Sequence, residues 1–253
     1  MRYLQVLDYA HQQLKPSTYL EIGVRTGTSL ALARCRAIGI DPAFTVKTEL
    51  HCDVSLFRTT SDAYFSRPDP LAATDGRPFE LAFIDGMHLF EFALRDFINA
   101  ERYSSTRGMI FFDDMMPNSV DEAARVKHTR LWTGDVYSMV EVLRRYRPDL
   151  TVLAIDVRPT GLLLVTGLDP ENTVLADHYT EILEEFRKPD PQPVPVQLID
   201  RLGAQTPERV MGSGLWDVLA DVEPGTPAAV VQQRLAERLS ASLGPAYARP
   251  LPV

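Results

Sequence analysis

Apolar and polar positions alternate along the first two-thirds of the chain in blocks that switch between a helical and a strand period. From Tyr3 to Leu14 the apolar residues Leu4, Val6, Leu7 and Ala10 recur at helical spacing, and Pro16 ends the segment. A strand follows over Tyr19 to Val24. Short apolar runs at Ala37 to Ile40, Val54 to Arg58, Phe79 to Ile84 and Met109 to Phe112 read as further strands, with helical stretches between them. Such alternation predicts an α/β fold, a parallel sheet with helices on both faces.

The segment Asp135 to Tyr146 predicts a helix with Asp135 as its N-cap, and Pro148 closes it. Thr151 to Val157 and Leu162 to Thr166 are two more apolar runs, joined by the turn-rich Arg158-Pro159-Thr160-Gly161, so the last two strands form an antiparallel hairpin. Past Gly167 the character changes. A helix is expected from Thr173 to Phe186, then the proline-rich stretch from Lys188 to Pro195 serves as a linker. Thr226 to Leu243 carries Val230, Val231, Leu235, Leu239 and Leu243 at helical spacing. Residues 1–167 are therefore expected as the principal domain and 168–253 as a mostly helical extension. Its apolar face must pack on the core or on another subunit, which leaves room for a homo-oligomer.

Composition narrows the partners. The chain has 253 residues, 45% hydrophobic and 24% charged, enough to bury a sizeable core. A net charge of −8 without a Lys/Arg block argues against a nucleic-acid substrate. No apolar run reaches membrane-spanning length, and the N-terminus becomes polar at His11-Gln12-Gln13, unlike a signal peptide, so a cytoplasmic enzyme is the expectation. Cys35 and Cys52 lie outside any zinc-ligand spacing and read as reduced structural thiols.

The chemistry gathers at strand ends. In Leu20-Glu21-Ile22-Gly23-Val24-Arg25-Thr26-Gly27-Thr28-Ser29 a strand runs into a Gly-x-x-x-Gly turn, followed by a helix expected from Ser29. Bare backbone there suits close approach of a ligand, or simply a tight turn. Arg25 occupies the place of a middle glycine, so the dinucleotide pattern GxGxxG fails. Asp41, about 20 residues on at the next strand end, is placed to accept both ribose hydroxyls. Ser61-Asp62-Ala63 fits two roles, a contact to the base of a nucleoside or a helix N-cap.

Phe83-Ile84-Asp85-Gly86-Met87-His88 ends the fourth strand and Phe111-Phe112-Asp113-Asp114 the fifth, so three carboxylates converge. Uncompensated, they would repel; Mg2+ with oxygen ligands and water resolves the repulsion, the alternative being that these acids satisfy loop amides. Adjacent residues on a strand point to opposite faces, so Asp113 and Asp114 both ligate only if the strand has begun to turn. Ser119 with Glu122 forms a capping-box pattern for the next helix. His88, at the start of a helix, should be neutral and able to accept a proton, or else be structural. Glu91 and Arg95 are spaced as an i,i+4 pair.

These segments together resemble class I S-adenosylmethionine-dependent methyltransferases, in particular the macrocin-type sugar O-methyltransferases and cephalosporin-biosynthesis relatives. The resemblance covers roughly residues 15–167. It implies a Rossmann-like seven-stranded sheet with a terminal antiparallel hairpin. It also implies S-adenosylmethionine at Glu21, Gly23, Gly27, Thr28, Ser29, Asp41, Ser61, Asp62 and Asp85, and Mg2+ on Asp85, Asp113 and Asp114. Several sugar O-methyltransferases carry a second acid two residues after the first ligand; here that position is Met87, so His88 would have to take over as base.

The expected reaction is methyl transfer to a hydroxyl of a small molecule or sugar, from a natural product or polysaccharide. The loop Lys127 to Trp132 is expected over the crevice, with Trp132 either packing on a sugar ring or anchoring the core. The rival readings are an NAD- or nucleotide-sugar-linked oxidoreductase and a non-catalytic binding protein on the same sheet. Hydroxylation in place of methylation, by analogy with the cephalosporin relatives, is a third.

Overall fold

A computed structural model of the chain describes residues 1–247. Seven strands form one sheet: β1 (Thr18–Ile22), β2 (Arg36–Ile40), β3 (Val54–Phe57), β4 (Phe79–Ile84), β5 (Ser104–Phe112), β6 (Thr151–Ile155) and β7 (Leu162–Thr166), in the order β3-β2-β1-β4-β5-β7-β6. The first five pair in parallel, and β7 lies antiparallel to both β5 and β6. The seven strands and the terminal antiparallel hairpin are as expected. The ten α-helices of the described residues are α1 (Tyr3–Leu14), α2 (Ser61–Phe65), α3 (Phe90–Arg102), α4 (Met139–Tyr146), α5 (Val174–Asp177), α6 (Tyr179–Phe186), α7 (Val196–Ile199), α8 (Pro207–Met211), α9 (Leu215–Ala220) and α10 (Ala228–Leu243). None is long and apolar enough to cross a membrane.

Because successive strand residues face opposite sides, the sheet divides its core in two. Leu20, Ile22, Ile38, Ile40, Ala82, Ile84, Ile110 and Phe112 meet Phe90, Leu94 and Phe97 of α3 and Met139 and Leu143 of α4 on one face. Tyr19, Ala37, Leu81, Phe83, Met109 and Phe111 point the other way, toward Val6, Leu7 and Ala10 of α1 and toward Leu215, Trp216, Leu219, Val231, Leu235 and Leu239 of α9 and α10. The apolar stripe of the last helix is thus covered by the chain's own sheet, although Val230 stays 40% exposed.

Several local expectations are corrected. The helix expected from Ser29 is a single 3-10 turn, Leu30–Leu32, since Ala33 is already extended and the chain re-enters the sheet at Arg36. Asp135 does not cap α4: a 3-10 turn at Val136–Ser138 intervenes, and the Asp135 carboxylate makes no cap bond to it. The segment Thr173 to Phe186 breaks at His178 into α5 and α6. Only half of the Ser119–Glu122 pattern forms: Glu122 N–H donates to Ser119 Oγ at 3.3 Å, but the Glu122 carboxylate accepts from Asn118 N–H at 2.9 Å, and the bonds close turns with no helix following. Cys35 and Cys52 are free, half-buried thiols, and burial pushes Cys35 up to about 12.

Candidate functional site

The C-terminal ends of β1, β2, β4 and β5 come together at one edge of the sheet, and every acid singled out in the sequence lies there or one loop away. Gly23 takes φ +96° directly after β1, and a Cβ at that position would sit 1.9 Å from the Asp85 carbonyl oxygen. Only glycine permits this turn to lie against the end of β4. Beneath it Glu21 is fully buried, accepting from the Tyr19 hydroxyl at 2.7 Å and the Ser29 hydroxyl at 2.9 Å. Burial drives its pKa up to about 8. Glu21 and Ser29 therefore brace the turn from inside, and Thr28 faces Thr26, their hydroxyls 3.2 Å apart.

Asp41 stands at the end of β2. Its two oxygens accept from the Arg25 N–H at 2.7 Å and the Ala43 N–H at 2.6 Å, holding Arg25 at φ +50°. The connection to β3 folds back on the turn: Thr45 N–H donates to Arg25 O at 2.7 Å, Lys47 N–H to Thr26 O at 3.0 Å, and Val46 packs on Gly27. The glycine turn and Asp41 thus form one unit.

Ser61 and Asp62 are assembled differently from either sequence reading. Thr60, one residue earlier, caps α2 by accepting from Ala63 N–H. Asp62 forms a two-point ion pair with Arg95, both contacts at 2.9 Å, so Arg95 does not pair with Glu91. Glu91 instead takes Arg125 at 2.6 and 3.0 Å, and Arg125 also reaches Asp135. Asp135 in turn accepts the Phe90 N–H at 2.8 Å, which stitches the long loop after β5 to the start of α3.

The acids of β4 and β5 converge on His88. Its Nε2–H donates to Asp85 Oδ1 at 3.0 Å; its Nδ1–H lies 2.9 Å from Asp114 Oδ2 and 3.1 Å from Trp132 O. Burial alone would favour neutral imidazole, but the hydrogen bonds and charges of Asp114 and Asp85 outweigh it and raise the pKa to about 11. The expectation of a neutral His88 at a helix start is corrected on both counts. The residue sits at φ +57° ahead of the N-cap Leu89, and two carboxylates hold it as imidazolium. Trp132 stacks on the ring at 5.2 Å and 10°, its Nε1–H donating to Ala124 O at 2.6 Å, so it seals the imidazole. Gly134 makes that closure feasible, because a Cβ there would lie 1.6 Å from His88 O.

The chain does turn after β5, with Asp114 at φ +62°. Asp113 Oδ1 accepts the Asp114 N–H at 2.9 Å, and burial, followed by the charges of Asp114 and Asp85, pushes the Asp113 carboxyl well above the usual range. As a test of metal fit, Asp85, His88 and Asp114 each offer a ligand atom within 4.8 Å of the others. Asp113 is outside that set, which corrects the three-carboxylate grouping. Asp85 and Asp114 offer carboxylate oxygens, and His88 offers a nitrogen once a cation displaces one of its ring protons. The mixed nitrogen and oxygen donors fit Mn2+ or Zn2+ as well as Mg2+.

Two residues were missed. Asp96, on α3, is 3% exposed and borders the cavity with Asp85, Gly86, His88, Asp113 and Asp114. An acid on a helix whose apolar stripe runs through Phe90, Ala93, Leu94, Phe97 and Ala100 was the available signal. Tyr3 stacks on Phe83 at 6.1 Å, close enough to the acids that burial and their charges raise it to about 12; nothing in its sequence context marked it.

Residues 20–115 match a family model described as a methyltransferase domain, a stretch that contains the glycine turn, Asp41, Asp85, His88, Asp113 and Asp114. Over this stretch the chain is similar to that family. No curated protein matches the chain. Among solved structures, a Klebsiella pneumoniae protein described as a candidate O-methyltransferase shares 18% identity over 66% of this chain and 80% of its own, with a TM-score of 0.47. The O-methyltransferase TomG from Streptomyces achromogenes, involved in tomaymycin synthesis and solved with S-adenosylmethionine, shares 17% identity over 64% of this chain and 78% of its own, TM-score 0.47. An O-methyltransferase from Bacillus cereus, solved with S-adenosylhomocysteine, shares 15% over 66% and 82%, TM-score 0.44.

Proposed function

We propose that this chain transfers the methyl group of S-adenosylmethionine to a hydroxyl oxygen of a small molecule or sugar, with a divalent cation at Asp85, His88 and Asp114. The observation that carries the reading is the meeting, at one edge of the sheet, of a backbone-bare turn with an acid after β2 and an acid cluster after β4 and β5. In open α/β sheets ligands bind in the crevice outside the carboxyl ends of the strands.

The roles divide by element. Gly23 lets the cofactor approach the backbone, and Asp41, released from Arg25 N–H and Ala43 N–H, accepts the ribose hydroxyls. A bound cation would supply Lewis-acid lowering of the acceptor hydroxyl's pKa. Without a cation the His88 imidazolium joins Asp85 to Asp114; a cation held there would displace one ring proton and leave the imidazole a neutral ligand, so in neither state does His88 serve as the base. Asp113, whose Oδ1 accepts the Asp114 amide and which lines the same cavity as Asp85 and Asp114, is the carboxyl beside the site that would receive the acceptor's proton when it enters the reaction ionised. The oxygen then attacks the methyl carbon and the sulfonium leaves as a neutral thioether. Positioning of the two substrates provides much of the remaining rate.

Calorimetry tests the reading. S-Adenosylhomocysteine should bind, and Asp41→Ala should weaken it by about tenfold or more, the worth of a charge-assisted hydrogen bond. Absence of binding to the wild type would sink the cofactor assignment. Titration with Mg2+ or Mn2+ alone should show a site that Asp114→Asn removes; a flat titration eliminates the metal and leaves the methyl transfer.

A further inference from the structure

β3 is lightly held. It lies at the edge of the sheet beside β2, and all 4 of its residues are half-buried. No helix joins it to β2, so it rests on the parallel ladder with β2 and on the connection that folds over the glycine turn. The two cysteines of the chain meet at the entry to that ladder. Ala37 pairs with Val54, and the Ala37 N–H donates to Asp53 O at 2.9 Å. Counting back two residues on each side of this register sets Cys35 opposite Cys52, on the face of Ala37 and Val54. Both side chains do pack against the core of that face. The Cys35 N–H favours the Cys52 thiolate and the Cys52 charge raises the Cys35 thiol, so the two groups act on each other at short range.

Neighbouring strands run about 4.8 Å apart, inside the about 4.4–6.8 Å between Cα atoms that a disulfide spans. Among the described residues no His, Asp or Glu groups with the two thiols as metal ligands, which leaves oxidation as their shared chemistry. We propose that Cys35 and Cys52 are an oxidisable pair, closing to a disulfide that ties the entry of the edge strand β3 to β2. The oxidant is a small-molecule disulfide of the glutathione type. The thiolate of Cys52, which is flanked by the exposed His51 and Asp53, attacks one sulfur of the oxidant and expels a thiolate. The Cys35 thiolate then attacks Cys52 Sγ and expels the second. One S–S bond breaks in the oxidant and one forms in the protein, and the two protons given up by the cysteines go to the departing thiolates. The closed loop contains β2, Asp41 and the connection that lays Val46 on Gly27. Burial raises both thiols, so few are ionised at neutral pH and closure is slow there.

The test incubates the reduced, folded chain with oxidised glutathione at about pH 8.5, where more thiolate is present, then blocks remaining thiols with N-ethylmaleimide for mass spectrometry. The wild type should lose two hydrogens, take up no maleimide and yield a peptide linking Cys35 to Cys52. Its melting temperature should rise by about 3 °C or more and fall back with dithiothreitol. Cys35→Ser, unable to complete the second step, should keep one glutathione on Cys52. Two maleimides on the wild type, a glutathione adduct that persists there, or a link between two chains overturns the inference. These wild-type masses decide without any variant, so a Cys35→Ser chain that fails to fold does not protect it. A Cys35–Cys52 link that leaves the melting temperature unchanged overturns the tether of β3.

Discussion

The two faces of the sheet are built by opposite routes. On the face of α2, α3 and α4, each helix is the crossover between strands adjacent in sequence, so the covering layer comes from the same short stretch as the strands it covers. On the other face the β1 to β2 crossover has shrunk to one 3-10 turn and the β2 to β3 connection has no helix, leaving Tyr19, Leu81, Phe83, Met109 and Phe111 to be covered from elsewhere. α1 supplies part of that cover, and α9 and α10 the rest. The difference teaches that residues beyond 207 complete the core of the seven-stranded sheet, and that a crossover can be lost when a distant amphipathic helix replaces its apolar area.

The largest test of this comparison is cavity formation on both faces. Leu235→Ala in α10 and Phe97→Ala in α3 each remove a fully buried side chain and should cost about 2–5 kcal/mol, measured by chemical denaturation. The two tryptophans separate the regions: Trp216 reports α9 and Trp132 the site loop. Single-tryptophan variants should show one coincident transition. A negligible effect of Leu235→Ala with an early Trp216 transition would mean that the far helices are an independent layer.

Buried titrating groups on the second face sharpen the comparison next. Glu21 titrates at about 8 in the fold, above its unfolded value, so the fold holds its proton more tightly. That contribution is complete below the unfolded pKa and is lost as pH rises toward 8. His11, 7% exposed against Tyr19, is lowered by burial to about 4, so its neutral form favours the fold above pH 6.5 and the effect is lost as pH falls toward 4. The difference in stability between wild type and Glu21→Gln should change by about 1.4 kcal/mol per pH unit between pH 5 and 8, and that for His11→Phe with the opposite sign between 6.5 and 4. Flat difference profiles would show these groups to be solvated.

The smallest expected effect is at the rim of the first face. Arg95→Ala breaks the partly exposed pair with Asp62 and should cost about 1 kcal/mol or less in thermal unfolding. Because it frees Asp62 beside Ser61, any change in S-adenosylhomocysteine affinity it causes should be under about tenfold; a larger loss would mean that the pair shapes the cofactor site.

Period alone decided much of the fold. Phe79–Ile84 and Leu162–Thr166 coincide with the expected strands and Tyr3–Leu14 with the expected helix, since each is a local run bounded by turn residues. Glycine and acid positions were equally legible: Gly23, Asp41, Asp85, Asp113 and Asp114 do lie at strand ends, which strand boundaries largely dictate. Side-chain partners were not legible. The i,i+4 rule paired Glu91 with Arg95, yet Arg125 and Asp62, brought near by folding, offered two-point contacts that a helix surface pair cannot match.

His88 shows where the boundary falls. The sequence by itself determined that an imidazole lies three residues beyond a strand-end acid, in a chain whose sheet alternates and whose last helix has one apolar side. Only the tertiary structure decided that Asp114 arrives from the other side and Trp132 from above, which changes the ring from a neutral base to a half-buried cation. Secondary structure follows from neighbours along the chain, whereas charge state and pairing depend on distances between groups far apart in sequence, and electrostatic energies are set by those distances and by burial.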